Sequence, residues 1–317
     1  MKVLTDCPVV LKEWKLGDRG AERLRHPPPV WDAFGADADA WTLDVDGDPD
    51  VVLVLIGRSR DSQFDRLVEL TRSLTELPDT LICVALEGDN FHGQAARPWT
   101  AVRGNLHLSY YSRLGIPAAE LLEEIAVLPT LALLEAFDIE ANPAEHTGIR
   151  WLNDLFIKGR KVAGTIAATQ VKGDRIESVV YGIGVNVEIV PDLQPNPWVP
   201  AAASLRSTMP DAGWTVSKAT TALIGTLGRY LNDLRHGVGK QFMKAYARHS
   251  ACIGQHVRIW SRKVEEYGDA APIAVGRLMA IHGDLSLSIQ GVDELVREGR
   301  LAFEEDCLEL GLYPTDF

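Results

Sequence analysis

The chain has 317 residues, 46% of them hydrophobic and 24% charged, with a formal net charge of −12. That length allows two domains and at least one sizeable core, and the composition is that of a soluble globular protein. The acidic balance argues against a partner held by bulk electrostatics, such as nucleic acid or an anionic membrane, but not against a small anion held by a local basic cluster.

Residues 1–50 are rich in Pro, Asp and Gly, and HPPPVW and DVDGDPD read as loops. Pro8-Val9-Val10-Leu11 is too short for a signal-peptide core and is followed by Lys12, Glu13 and Lys15. Asp44-Val45-Asp46-Gly47-Asp48 superficially resembles a calcium loop, but its glycine is misplaced and Leu55 stands where the closing Glu is needed. It reads as a solvated acidic turn. VVLVLIG (51–57) and TLICVAL (80–86) are short apolar runs of buried-strand type. Between them, residues 61–77 place Phe64, Leu67, Val68, Leu70 and Leu74 at helical spacing, with Asp61 or Ser62 as N-cap.

GNLHLSYYSRL (104–114) alternates like a strand. Residues 117–137 predict a long helix that Pro129 kinks or splits. A hairpin is expected around 149–168, then strands at 176–181 and 183–190, a Pro-rich loop at 191–200, and helical periodicity over 216–248. After Ser250 the short strands HVRIW, IAVGRLMAIH, LSLSI and RLAFEE predict a small β-barrel. The expected organisation is an N-terminal extension (1–50, no helix-turn-helix), an α+β catalytic domain (51–249) and the barrel (250–317). No run is long enough to span a membrane. Cys7, Cys83, Cys252 and Cys307 are far apart, and read as incidental thiols of a reducing, cytoplasmic compartment.

Three segments carry chemistry. Lys161 opens an apolar strand, where an ammonium needs a partner or an anion. Spacing alone favours a structural pair with Asp154, and a ligand carboxylate or phosphate is the functional alternative. Gly164 and Gly182-Ile183-Gly184 permit close approach of a ligand or of packed neighbours. EGDNFHGQAARPW (87–99) combines Gly93, a phosphate-clamping Arg97 and a stacking plate in Trp99. His92 and His107 are candidate bases or ligands, with His107 read as structural.

Together these segments resemble the biotin protein ligases of the biotin/lipoate protein-ligase superfamily. Arg150-Trp151-Leu152-Asn153-Asp154-Leu155 through Arg160-Lys161-Val162-Ala163-Gly164 is similar to that family's K/R-W-P-N-D-L-hairpin-R-K-L/V-A-G. Gly182-Ile183-Gly184-Val185-Asn186-Val187 matches G-x-G-I/V-N-V, and Gly104-Asn105-Leu106-His107-Leu108-Ser109 matches G-N-L-x-L-S. Order and spacing agree over roughly residues 50–310. The resemblance implies a class II synthetase-like catalytic domain with an SH3-like C-terminal barrel. It implies that ATP and Mg²⁺ activate biotin to biotinyl-5'-AMP, which a lysine of a carboxylase's biotin-carrier domain then attacks. Lys161 and Arg97 are the implied catalytic residues. Gly93, Trp99, Asn105, Asn153, Asp154, Gly164, Ile166, Gly184 and Asn186 are the implied binding residues, with Asp154 also at the Mg²⁺. A monomer or homodimer is expected, with no repressor role.

The sequence departs from the family at the nucleotide loop. G-R-G-R-x-G-R-x-W becomes Phe91-His92-Gly93-Gln94-Ala95-Ala96-Arg97-Pro98-Trp99, so two arginines are His92 and Gln94. Each lost charge-assisted bond is worth roughly 1.5–3 kcal/mol. Leu152 replaces a proline, and the S-T-N segment is only Asp61-Ser62-Gln63. A ligase or transferase acting on lipoate, octanoate or another acid is therefore the nearest rival, and a silent cofactor- or carrier-binding homologue is the rival of another class.

Overall fold

The computed structural model describes residues 1–14, 21–26, 28–34, 39–45, 48–73, 77–118, 121–264 and 270–311. Leu74 and the Asp46-Gly47 pair of the acidic turn lie outside them. Within residues 1–50, where HPPPVW and DVDGDPD are expected as loops, lie β1 (Lys2–Thr5), α1 (Pro8–Glu13), β2 (Glu22–Arg23), α2 (Pro29–Phe34, which begins inside HPPPVW) and β3 (Trp41–Asp44). β4 (Val51–Ile56), α3 (Gln63–Ser73), β5 (Thr80–Ala85), β6 (Leu106–Pro117) and α4 (Leu122–Ala136) follow. Pro129 lies inside α4 without splitting it.

The expected hairpin is a three-stranded meander of β7 (Gly148–Arg150), β8 (Asp154–Ile157) and β9 (Arg160–Lys172), so Asn153 ends the turn between β7 and β8 and Asp154 opens β8. The two strands expected at 176–190 are one, β10 (Arg175–Val185), which carries Gly182 and Gly184 in its ladder. The helical stretch 216–248 divides at Gly237-Val238-Gly239. Its parts are α6 (Val216–Arg235) and α7 (Gln241–Arg248), preceded by the short α5 (Leu205–Thr208).

Ten strands form one sheet in the order β2-β3-β1-β4-β5-β6-β10-β9-β8-β7. β1 pairs parallel to β4, and β4 parallel to β5; the remaining pairs are antiparallel. Alternation sorts the side chains into two layers. Leu53, Leu55, Ile82, Val84, Leu106 and Leu108 join α4, α6 and α7 in the larger core. Val54, Ile56, Leu81, Cys83 and Tyr111 face the other way, toward Trp31, Phe34 and Leu67 of α2 and α3. α3 also covers β6 and β10, and beside it a cleft opens along β9 and β10.

β11 (His256–Trp260), β12 (Ala274–Ile281), β13 (Leu287–Ile289) and β14 (Arg300–Phe303) form a second sheet, ordered β13-β12-β11-β14 and followed by α8 (Glu304–Glu309). The expected barrel is not closed: among the described residues no pairing joins β13 to β14. This sheet is fastened to the meander. Ile149 N–H donates to His249 O (2.9 Å), Ala251 N–H to Ile149 O (2.9 Å), and Trp151 Nε1–H to Leu285 O (3.1 Å). The Arg150 guanidinium is buried between the rings of Phe156 (3.9 Å) and Phe303 (4.0 Å) and is paired with Asp306 at 2.9 Å. No helix among the described residues is long and apolar enough to cross a membrane.

Candidate active site

Strand register builds the cleft floor. Asp154 on β8 is level with Gly164 on β9, Gly164 with Gly184 on β10, and Gly184 with His107 on β6. Two glycines in one row, between a carboxylate and an imidazole, make a trough in the sheet. Lys161 and Trp99 fill it. A Cβ at Gly164 would stand 3.0 Å from Asp154 Oδ1 and 3.5 Å from Lys161 Nζ. A Cβ at Gly184 would lie under 3.0 Å from the Trp99 indole. Gly182, one step along β10, leaves room for Ile166 (2.8 Å) and Phe64 (3.0 Å).

Lys161 Nζ sits 2.7 Å from Asp154 Oδ2, both side chains mostly buried, and 5.9 Å from the centre of the Trp99 ring. Trp99 is itself oriented: its Nε1–H donates to His107 Nδ1 (3.3 Å), and His107 Nε2–H donates to Val102 O (3.2 Å). The ring therefore carries its proton on Nε2 and is neutral. Burial depresses the His107 pKa to about 4, against the opposing bond to Val102. Asn153 donates through Nδ2 to Thr165 O, and Thr165 N–H returns a bond to Asn153 O (3.0 Å), which locks the corner.

Lys161 borders three connected spaces. The main cleft takes in Ser62, Phe64, Gln94, Ser109 and Ile166. A smaller apolar slot lies between Pro98-Trp99 and Pro191, Leu193 and Val199. A third, more polar space is bounded by Arg97, Asp154, Trp198 and, from the second sheet, Arg300. Arg97 and Arg300 repel one another across it. Burial and then Arg97 lower Arg300 to about 10, with Asp154 opposing. Arg97 is lowered by burial, with Asp154 pulling upward and Arg262 adding to the drop. Two crowded guanidiniums beside an ammonium suit a polyanion.

Of the residues expected at a site, Gly93, Arg97, Trp99, Asn153, Asp154, Lys161, Gly164, Ile166 and Gly184 line the main cleft together. Asn105 does not. It is fully buried, and its Oδ1 accepts from Val187 N–H (3.0 Å) and Ile189 N–H (3.1 Å). Asn186 lines the apolar slot while donating to Ala203 O (3.0 Å) and Lys161 O (3.4 Å). Sequence reading missed Arg300 and Trp198, because no local pattern announces a residue brought in from another sheet. It assigned Phe64 only to a helix face.

Among the described residues no three His, Cys, Asp or Glu side chains gather as a metal site. Among the described residues Asp154 is the one carboxylate lining the main cleft. That donor set does not build a cage, but it fits a hard cation carried in by a phosphate ligand and keeping most of its water.

Residues 57–186 match the family described as Biotin/lipoate A/B protein ligase family. The chain is 29% identical over 202 residues to the bifunctional ligase/repressor BirA of Bacillus subtilis, covering 62% of this chain and 59% of that protein. It thus spans about three fifths of the length of that relative. It is 25% identical over 223 residues to the biotin--[acetyl-CoA-carboxylase] ligase of Mycobacterium tuberculosis, covering 70% of this chain and 78% of that one. The fold is shared with the biotin protein ligase of Aquifex aeolicus in complex with biotin and ATP: TM-score 0.56, 16% identity, 80% of this chain and 98% of that one. A biotin protein ligase-like protein of unknown function from Silicibacter sp. is also similar, with TM-score 0.54 and 13% identity over 80% of this chain and 97% of that one.

Proposed function

We propose, on the premise that residues 57–186 belong to the biotin/lipoate A/B protein ligase family, that the chain is an ATP-dependent biotin protein ligase. The observation that carries this reading is the Lys161–Asp154 pair at the meeting point of an acid-sized cleft, an apolar slot and a cationic space. Biotin's carboxylate oxygen attacks the α-phosphorus of ATP, and pyrophosphate leaves. The ε-amine of a carrier-domain lysine then attacks the acyl carbon of biotinyl-5'-AMP, and AMP leaves.

In this reading the acid's ring enters the main cleft between Phe64, Ile166 and the Gly182 backbone, and its carboxylate meets Lys161. The ammonium offsets the charge that develops on the α-phosphate oxygens. Arg97 and Arg300 face the departing pyrophosphate, and the apolar slot takes the base. Trp99 holds Lys161 in line, and Gly93, Gly164 and Gly184 supply space. Asn105 and Asn186 act by fastening the backbone around the slot. Asp154 with Asn153 would hold a nucleotide-borne Mg²⁺, which supplies charge neutralisation on the phosphates when bound. The C-terminal sheet is the counterpart of the expected SH3-like barrel, opened between β13 and β14. The partner is a carboxylase's biotin-carrier domain, the compartment is cytoplasmic, and the protein works as a monomer or homodimer.

The test is acid-dependent ATP–pyrophosphate exchange with Mg²⁺, offering biotin, lipoate and octanoate separately. Exchange with biotin alone is the expected result. Exchange with another acid keeps the adenylation chemistry and moves the substrate. No exchange from folded protein would leave the cleft to a non-adenylating transferase or a silent binding protein.

A further inference from the structure

The loop that carries Arg97 and Trp99 is held in an unusual way. Ala95 and Ala96 both have left-handed backbone, at φ 55° and 57°, where side-chain-bearing residues are disfavoured. Within it Gly93 N–H donates to Arg97 O (2.8 Å), Trp99 N–H donates to Phe91 O (2.8 Å) and His92 bridges to Pro98, and on the sheet side Phe91 and Trp99 meet His107. A side chain of the loop also reaches helix α3. His92 Nε2 lies 2.6 Å from Asp65 Oδ2, while Nδ1 lies 3.0 Å from Gly93 O.

Both partners are acceptors. A carbonyl oxygen demands N–H at Nδ1, and an ionised carboxylate demands N–H at Nε2. A neutral imidazole carries one such hydrogen, so this arrangement is complete only when the ring is an imidazolium. We infer that His92, through Asp65, is a positioning residue that latches the strained 91–99 loop to α3 when protonated and releases it when neutral. What the latch governs, the seating of Arg97 and Trp99 around the acid, rests on the ligase reading above. The inference assigns a role to one of the two positions where the family's loop arginine is absent.

The charges around the ring agree. Asp65 faces it from α3, where the neighbouring Asp61, Arg66 and Glu69 are paired among themselves. Arg97, Lys161, Asp154 and neutral His107 share the cleft on its other side. Burial pulls the His92 pKa down, but the bonds to Gly93 and Asp65 outweigh it, so it stands above the ordinary 6.5. The sign follows: the latch is complete below 6.5 and is lost as pH rises through the higher, folded-state value.

The experiment is an NMR titration of the His92 ring in ligand-free protein, assigned with His92→Gln, alongside hydrogen exchange of residues 91–99 over the same pH range. The inference expects a His92 midpoint above 6.5, a lower midpoint in Asp65→Asn, and loop protection that falls in step with deprotonation. It expects His92→Arg to keep the loop protected with no pH transition. A wild-type midpoint at or below 6.5, or one that Asp65→Asn leaves in place, overturns it. So does loop protection that ignores the titration. These readouts need no turnover, so absence of pyrophosphate exchange would sink the ligase reading and leave the latch standing. If exchange is present, the KM for the acid should rise through the His92 transition in wild type and stay flat in His92→Arg.

Discussion

At the scale of single residues, the cleft is built as much by absent side chains as by present ones. Gly184→Ala would drive a methyl into the Trp99 indole, which Lys161 and the bond to His107 leave little freedom to yield. Overpacking of this kind costs about 1–3 kcal/mol. A lower melting temperature, with a shift in Trp emission, is the expected outcome, and unchanged values would mean that Trp99 is not held there. Lys161→Ala should lower the exchange rate by about 10²–10³-fold, the cost of removing a preorganised charge at a developing oxyanion. Retained exchange would remove Lys161 from the chemistry. His107 offers a pH test. Its pKa falls from 6.5 to about 4 on folding because it is buried. Its contribution to stability is therefore full above 6.5 and lost as pH falls toward 4. The range corresponds to roughly 3 kcal/mol by the one-unit conversion. Thermal unfolding followed through that interval should flatten in His107→Gln.

At the scale of elements, the loop after β5 concentrates the backbone strain. Ala96 stands where the resembled family has glycine, and Ala96→Gly should relieve about 1–2 kcal/mol of left-handed cost. It gives back about 0.4–1 kcal/mol through the freer unfolded chain. The net is a stabilisation of roughly 0–1.6 kcal/mol, readable in denaturant midpoints. The same loop marks how far the sequence could be read. β4 and β5 were legible as unbroken apolar runs buried on both faces, and α3 by its helical period. The Arg150–Gly164 motif was legible as a folded-back apolar segment, but not its division into three strands, since Asn153-Asp154 does not say on which side of a turn it falls. Gly182 read as an interruption of β10, and Gly184 as room for a close neighbour. Their purpose is to admit Phe64, Ile166 and Trp99, which lie far away in the chain. Nor does the identity of His92 reveal a charge, because Asp65 stands 27 positions earlier. The short strands within residues 1–50 went unread for a related reason. Lys2–Thr5 is a four-residue strand, too short to show a period beside so many Pro, Asp and Gly.

For the whole molecule, β1 lies between β3 and β4, so the main sheet runs through the sequence boundary expected near residue 50. At the other end Arg150 joins the sheets as a buried cation with Asp306. Burial raises the Asp306 carboxyl against the pull of Arg150, so each group needs the other. Arg150→Met alone should cost about 3–5 kcal/mol by stranding Asp306, and a compensating Asp306→Leu should recover most of it. Paired unfolding curves would check this, and additive losses would show that the two residues are independent. One ammonium, Lys161, is wall to all three spaces of the site. On the ligase reading, preferences for acid, base and phosphates are then not separate traits, because a change in one wall is felt by a charge that the other two share. Substitutions made in different walls should show large coupling energies in double-mutant cycles although their side chains never touch. Substrate choice in such a site would evolve along narrow paths, with the order of changes deciding which of them survive.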